Sequence, residues 1–275
     1  MKIIRKTIKK VAIISSIAGV GLIFAALPFY LTSPDLDYIL VLAFTVAILP
    51  PAIASIIHNR WKNKIEKATP EFLRDLATSF KTGMPLYTAL EHATKRDYGP
   101  LTAELKLMVS QMSWGMNFND ALRKFSKNID LTLIKKATIL ILEAGRHGGD
   151  LSNIFDSTAK YVDNVNAWNN RRRTQTLPYV AIFYFSVIIF LFIIIIVTSM
   201  IFIPMSEIAE AGSAFITPIL SPSIARRVFL HTALLEALFG GLLAGKINED
   251  SFLGGLKHAA ILTIISGLAF LIFFQ

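Results

Sequence analysis

Arg171-Arg-Arg-Thr-Gln-Thr-Leu-Pro178, followed by Phe190-Leu-Phe-Ile-Ile-Ile-Ile-Val197, decides how this chain is built. The three arginines open an uncharged run, residues 174–206, that is too long for an ordinary core helix. A helix rises about 1.5 Å per residue and needs roughly 20 apolar residues to cross a hydrocarbon core about 30 Å thick. In water the β-branched stretch would suit a buried strand, but its length and lack of turn residues favour a membrane helix. Uncharged runs at 11–34 and 38–59 are also long enough, and 228–245 and 258–275 are weaker, the former interrupted by Glu236. Five spans are expected, at about 11–31, 38–57, 177–203, 228–245 and 256–274.

Composition agrees. Hydrophobic residues make up 53% of the 275 and charged residues 17%, where a soluble domain is nearer a quarter charged. The charge is concentrated: residues 58–176 hold 19 of the 28 Lys/Arg and 12 of the 19 Asp/Glu, a net of +7. The chain therefore reads as an all-α, multi-pass membrane protein in three parts: a membrane pair (1–57), a basic helical bundle (58–176) and a C-terminal membrane region (177–275). The run after the basic N-terminus exceeds the 7–15-residue core of a signal peptide and has no small-x-small site before Pro28, so an uncleaved first span is expected. Lys and Arg in the flanks put the N-terminus and the bundle in the cytoplasm, at the cell membrane, and the C-terminus outside. Arg226 and Arg227 dissent mildly.

The polar region repeats itself. Gly83-Met-Pro-Leu-Tyr-Thr-Ala-Leu90 recurs as Gly115-Met-Asn-Phe-Asn-Asp-Ala-Leu122 and, more loosely, as Gly148-Gly-Asp-Leu-Ser-Asn-Ile-Phe155. Each copy reads as a helix, a glycine turn and an amphipathic helix with apolar anchors three, six and seven residues on, which share one face. About six helices in one bundle are expected, although an equal period also suits a fragment of a solenoid. Lys95, Lys127 and Lys160 follow the three glycines at constant spacing and suit either a solvated face or an acidic partner. Thr69-Pro70-Glu71 predicts a helix start, Tyr98-Gly99-Pro100 a break, and Asp130 a cap for an apolar helix over 131–142 that belongs at the bundle centre. The last helix is expected to run from Asp150 through Trp168 and Arg171–Arg173 toward the third span, with Pro178 able to kink it. The arginines stand at the depth of anionic headgroups, an anchoring role that suits them better than nucleic-acid binding.

The sequence carries no constellation for catalysis. Cysteine is absent, and the five histidines show no HExxH or paired carboxylate–histidine spacing, so neither enzyme activity, metal nor cofactor is expected. Gly240-Gly-Leu-Leu-Ala-Gly245-Lys246 fits a phosphate loop except that Ile247 stands where Ser or Thr must bind magnesium. Close helix packing through Gly241, Ala244 and Gly245 explains the glycines. Glu236 is the acid inside a span, and it suits either a functional polar contact or simple ordering of the helices.

Glu143-Ala-Gly145-Arg-His-Gly148-Gly149-Asp-Leu151 resembles the glycine-containing turn of the type II secretion system F domain, and Phe72-Leu-Arg-Asp-Leu-Ala77 with Gly83–Leu90 resembles its opening helices. Gly245-Lys-Ile-Asn-Glu-Asp-Ser251 and Gly255-Leu-Lys-His258 look like the archaeal branch, the archaellum and type IV pilus platform proteins. The resemblance implies a platform protein without catalysis of its own, contacting a cytoplasmic hexameric secretion ATPase and pilin- or archaellin-like subunits in the lipid bilayer. Many members carry two such cytoplasmic domains and this chain has one, which implies a homo-oligomer or pairing with a second F-domain subunit. Arg123, Lys124, Lys135, Lys136 and Arg146, with the 247–257 loop, are the residues expected to meet an acidic partner rim. The rival reading is a small transporter or channel component that uses Glu236.

Overall fold

The computed structural model describes residues 36–210 and 222–273, together with the isolated positions 14 and 21. The first expected span lies outside the described residues. Every regular element among them is helical: α1 (Leu36–Lys81), α2 (Leu86–Ala93), α3 (Pro100–Ser113), α4 (Phe118–Ile129), α5 (Thr132–Arg146), α6 (Leu151–Val197), a π-helical turn (Thr198–Phe202), α7 (Ile203–Glu210), α8 (Pro222–Glu249) and α9 (Phe252–Phe273). Four stretches among the described residues, within α1, within α6 with its continuation, α8 and α9, are long and apolar enough to cross a membrane. The chain divides into two compact units, residues 59–172 and the remainder.

The 59–172 unit is built on its glycine turns. Gly83, Gly115 and Gly148 all adopt positive φ, at 77°, 89° and 73°. In each copy the next amide reaches back across the helix end: Met84 to Ser79, Met116 to Gln111 and Gly149 to Ala144, at 3.1, 3.2 and 3.4 Å. These bonds satisfy carbonyls that a helix terminus leaves without partners. The anchors follow the repeat. Ala89 and Leu90, Ala121 and Leu122, and Ile154 and Phe155 are buried, while Leu86, Phe118 and Leu151 pack half-buried against the same core.

Two expected helix starts are corrected. Pro70 does not open a helix; it lies inside the 46-residue α1. A proline has no N–H, so the carbonyl four residues earlier loses its helical donor. That carbonyl belongs to Glu66, and it accepts instead from the Asn166 side-chain amide at 2.7 Å. The Thr69 hydroxyl donates back to the Ile65 carbonyl rather than capping a helix. Asp130 is not the cap of α5 either: it ends α4 in the left-handed region (φ 56°, ψ 39°), and Leu131 precedes α5 without a side-chain cap. The Asp130 carboxylate holds Lys135 at 2.6 Å instead.

Contacts between α1 and α6 pair rising numbers on one helix with falling numbers on the other. Glu66 meets Asn166, Arg74 pairs with Asp163, and the Ala77 carbonyl accepts from Ser152. The two helices are thus antiparallel. Helix α6 continues unbroken for 47 residues, with Pro178 in its interior.

In the other unit, α8 and α9 form a closely packed pair. A β-carbon on Gly241 would overlap the backbone of Ala259, and one on Gly245 the backbone of Gly255. Small residues permit this approach where apolar lipid supplies no hydrophobic drive to association. Val187 and Leu191 of α6 pack with Leu230, Leu234 and Leu262, and Ile48 and Ala52 of α1 with Ala259 and Ala260. The third uncharged run exceeds one span, and its surplus holds the π turn, in which the Ile203 amide reaches the Thr198 carbonyl.

Two predictions follow from these contacts. Asn166→Ala removes the donor that α6 gives the Glu66 carbonyl and costs about 1–3 kcal/mol. In a Pro70→Ala background, which restores the helical N–H, the same change costs less, as a double-mutant cycle of denaturant unfolding would read. Gly245→Ala lowers the thermal midpoint of the detergent-solubilised chain, whereas Gly240→Ala, whose β-carbon would meet Phe183 at an ordinary 3.8 Å, does not.

Candidate functional site

All five expected partner-binding cations lie on the α4–α5 hairpin, four of them within about two turns of its connection. Helix α4 starts cleanly: the Asn117 side-chain oxygen accepts from the Asp120 amide at 2.8 Å and its NH₂ donates to the Asp120 carboxylate at 2.7 Å. Its inner face buries Ala121, Leu122, Phe125 and Ile129, leaving Arg123, Lys124 and Lys127 exposed. None of these three, nor Lys136 on α5, makes an ion pair among the described residues. Arg123 and Lys127 stand four apart, a like-charge spacing that costs a helix about 0.2–0.5 kcal/mol. Lys135 is tied to Asp130, across the turn that joins the two helices.

Arg146 does not join this group. It lies ten residues beyond Lys136 on α5, about 15 Å along the axis, and pairs with Glu143 at 3.5 Å. Residues 247–257 belong to the other unit. There Lys257 pairs with Glu249, and Lys246 holds Asp250 at 2.6 Å. The family-motif turn is structural in its geometry: Gly145 lies in α5, Gly148 takes the left-handed turn, and a β-carbon on Gly149 would crowd Ile154 at 3.0 Å and the Ala144 carbonyl at 3.2 Å. Of the repeat lysines, Lys95, Lys127 and Lys160 are all exposed, and Lys160 pairs with Asp156 at 2.8 Å.

Helix α5 is not buried all round. Leu133, Ile134, Ala137, Thr138, Ile141 and Leu142 face the core. Ile139 and Leu140, however, are 61% and 44% exposed, on the side that carries Lys135, Lys136 and Glu143. The hairpin therefore presents an apolar pair beside Lys135 and Lys136.

Inside the membrane segments, Glu236 is half-buried and accepts from the Ser186 hydroxyl of α6 at 2.8 Å, while its other oxygen is buried without a partner among the described residues. Tyr184 bonds His258 Nδ1 at 2.9 Å, and Thr176 bonds Asn248 at 3.1 Å. In the 59–172 unit the Tyr98 phenol donates to Asp75, which also holds Arg96 at 2.6 Å. Burial first, and then the Asp75 bond, raises the Tyr98 pKa well above its usual range, so this phenol stays protonated near neutrality. Among the described residues no three His, Asp or Glu side chains gather to hold a metal.

These elements define a multi-pass membrane protein carrying a glycine-turned helical domain with a basic face. Residues 72–199 match the family described as type II secretion system (T2SS), protein F. The match includes the Glu143–Leu151 turn whose sequence resembles that domain. An uncharacterized protein of the archaeon Methanocaldococcus jannaschii is 25% identical over 223 residues, 81% of this chain. The chain spans about a third (36%) of that relative's length. No solved structure matches.

Replacing the exposed Ile139 and Leu140 together with serine leaves stability within about 0.5 kcal/mol. Ile134→Ala, on the buried face, costs about 2–5 kcal/mol. Denaturant unfolding of the two variants separates the faces.

Proposed function

We propose that this chain is the integral platform of a type IV filament machine, archaellum- or pilus-like, or of a related secretion machine. In this reading the 59–172 unit lies in the cytoplasm and receives work from a hexameric ATPase. The membrane helices then insert or extract pilin-like subunits. The observation that carries the reading is the T2SS protein F domain, whose last helix is continuous with an apolar span. A continuous helix resists bending and transmits displacement along its axis, which suits a part that links a soluble motor to events in the bilayer. The basic α4–α5 hairpin supports an acidic partner, since complementary charge speeds encounter and suppresses wrong docking. The working assembly in this reading holds two copies of the chain, or this chain and a second F-domain subunit.

Reversing charge with Lys135→Glu and Lys136→Glu is expected to abolish filament assembly while the chain's abundance in the membrane stays unchanged. Normal filaments in that variant would overturn the assignment of this surface. Proton or solute flux through the purified chain in vesicles, lost in Glu236→Gln, would favour the transporter reading instead.

A further inference from the structure

The register between α1 and α6 brings together cations that lie more than a hundred residues apart in sequence. The Asn166–Glu66 bond and the antiparallel run set Arg60 opposite Arg172, and Lys64 opposite Trp168. Within about two helical turns of that level stand Arg60, Lys62, Lys64, Lys67, Arg171 and Arg172. Against these six cations, residues 59–68 and 164–172 contain a single acid, Glu66, which is 8% exposed and sits 3.8 Å from Lys62. Arg60, Lys64 and Lys67 share one exposed face of α1, and Trp168, Arg171 and Arg172 one exposed face of α6. Asn166 and Glu66 lie away from both faces, so the cations ring the helix pair rather than line one pocket.

Trp168 is the second observation. Its indole is 75% exposed, beside arginines and with no ring or cation contact among the described residues. An amphipathic indole is typical of the headgroup level of a bilayer, where one edge meets apolar tails and the N–H meets polar groups. In sequence, both basic stretches end where uncharged runs begin, after residue 173 and before residue 60.

We propose that this ring is a binding site for anionic lipid headgroups, with Arg60, Lys64, Lys67, Arg171 and Arg172 holding lipid phosphates and Trp168 seated among them at the interface. Guanidinium groups bind phosphate through paired N–H donors, and lysines add point charges. Clusters of four to eight Lys/Arg immediately beside a membrane helix are the pattern that recruits anionic lipid.

The test uses the full chain reconstituted in vesicles with spin-labelled phosphatidylglycerol or phosphatidylcholine. The motionally restricted fraction of the anionic label should exceed that of the zwitterionic label at least about threefold. The excess should fall in high salt, which screens exposed charge. Replacing Arg60, Lys64, Lys67, Arg171 and Arg172 with glutamine should remove the preference, while Arg123→Gln, Lys124→Gln and Lys136→Gln should leave it intact. Equal restriction of both lipids by the unaltered chain overturns the proposal, as does equal loss in the two variant sets, which would mean a diffuse effect of net charge. A fluorescence readout avoids dependence on the multiple variant. Emission of a chain retaining only Trp168 (Trp61→Phe, Trp114→Phe) should be quenched by lipid brominated near the headgroup, and a Trp114-only chain should not. Equal quenching of the two, or none of Trp168, overturns it.

Discussion

The backbone carbonyl of Glu66 ties the two longest helices of the fold together. Pro70 deprives it of its helical donor, and a buried carbonyl without a partner costs about as much as a lost hydrogen bond. The Asn166 amide supplies that donor from α6. With it, that carbonyl keeps a donor although Pro70 lies inside α1. The same bond fixes the register of the two longest helices against each other. The ion pair of Arg74 with Asp163 and the Ser152–Ala77 bond continue that register toward the far end of the domain.

The glycine turns perform the complementary task of folding the short helices α2 to α5 against that pair. Positive φ at Gly83, Gly115 and Gly148 is strained for any residue with a β-carbon, so the turn is written in residue type, while the anchors that follow are written in spacing. Three copies of one device give a domain whose inner faces are alike and whose outer faces are free to differ. On α4 and α5 the outer faces carry Arg123, Lys124, Lys127, Lys135 and Lys136 and expose Ile139 and Leu140.

Much of this was legible in the sequence. The all-helical class, the membrane spans within the described residues and the three glycine turns came from periodicity, apolar length and the repeat. The GxxxG approach of α8 to α9 came from Gly241 and Gly245. Thr69-Pro70 misled because a first-turn proline and an interior proline look alike until the partner of the freed carbonyl is known, and that partner lies 100 residues away. Asp130 misled because aspartate both caps helix starts and tolerates the left-handed conformation, and the two-residue connection leaves room for the second role alone. Ile139 and Leu140 read as core since apolar residues on a helix carry no mark of which neighbours arrive. Arg60 to Lys67 went unnoticed for the same reason as Pro70: their alignment with Arg171 and Arg172 depends on long-range register.

The central claim is that α6 is one helix from the domain into the bilayer, through Arg171 and Pro178. A scan of single spin labels from residue 164 to 184, in the reconstituted full chain, reads it most directly. Collision rates with oxygen and with a polar nickel chelate should show one unbroken 3.6-residue period across the whole stretch, with oxygen access rising after residue 174. Loss of the period between residues 171 and 178, with both reagents reaching every position there, would mean a hinge and would contradict the account.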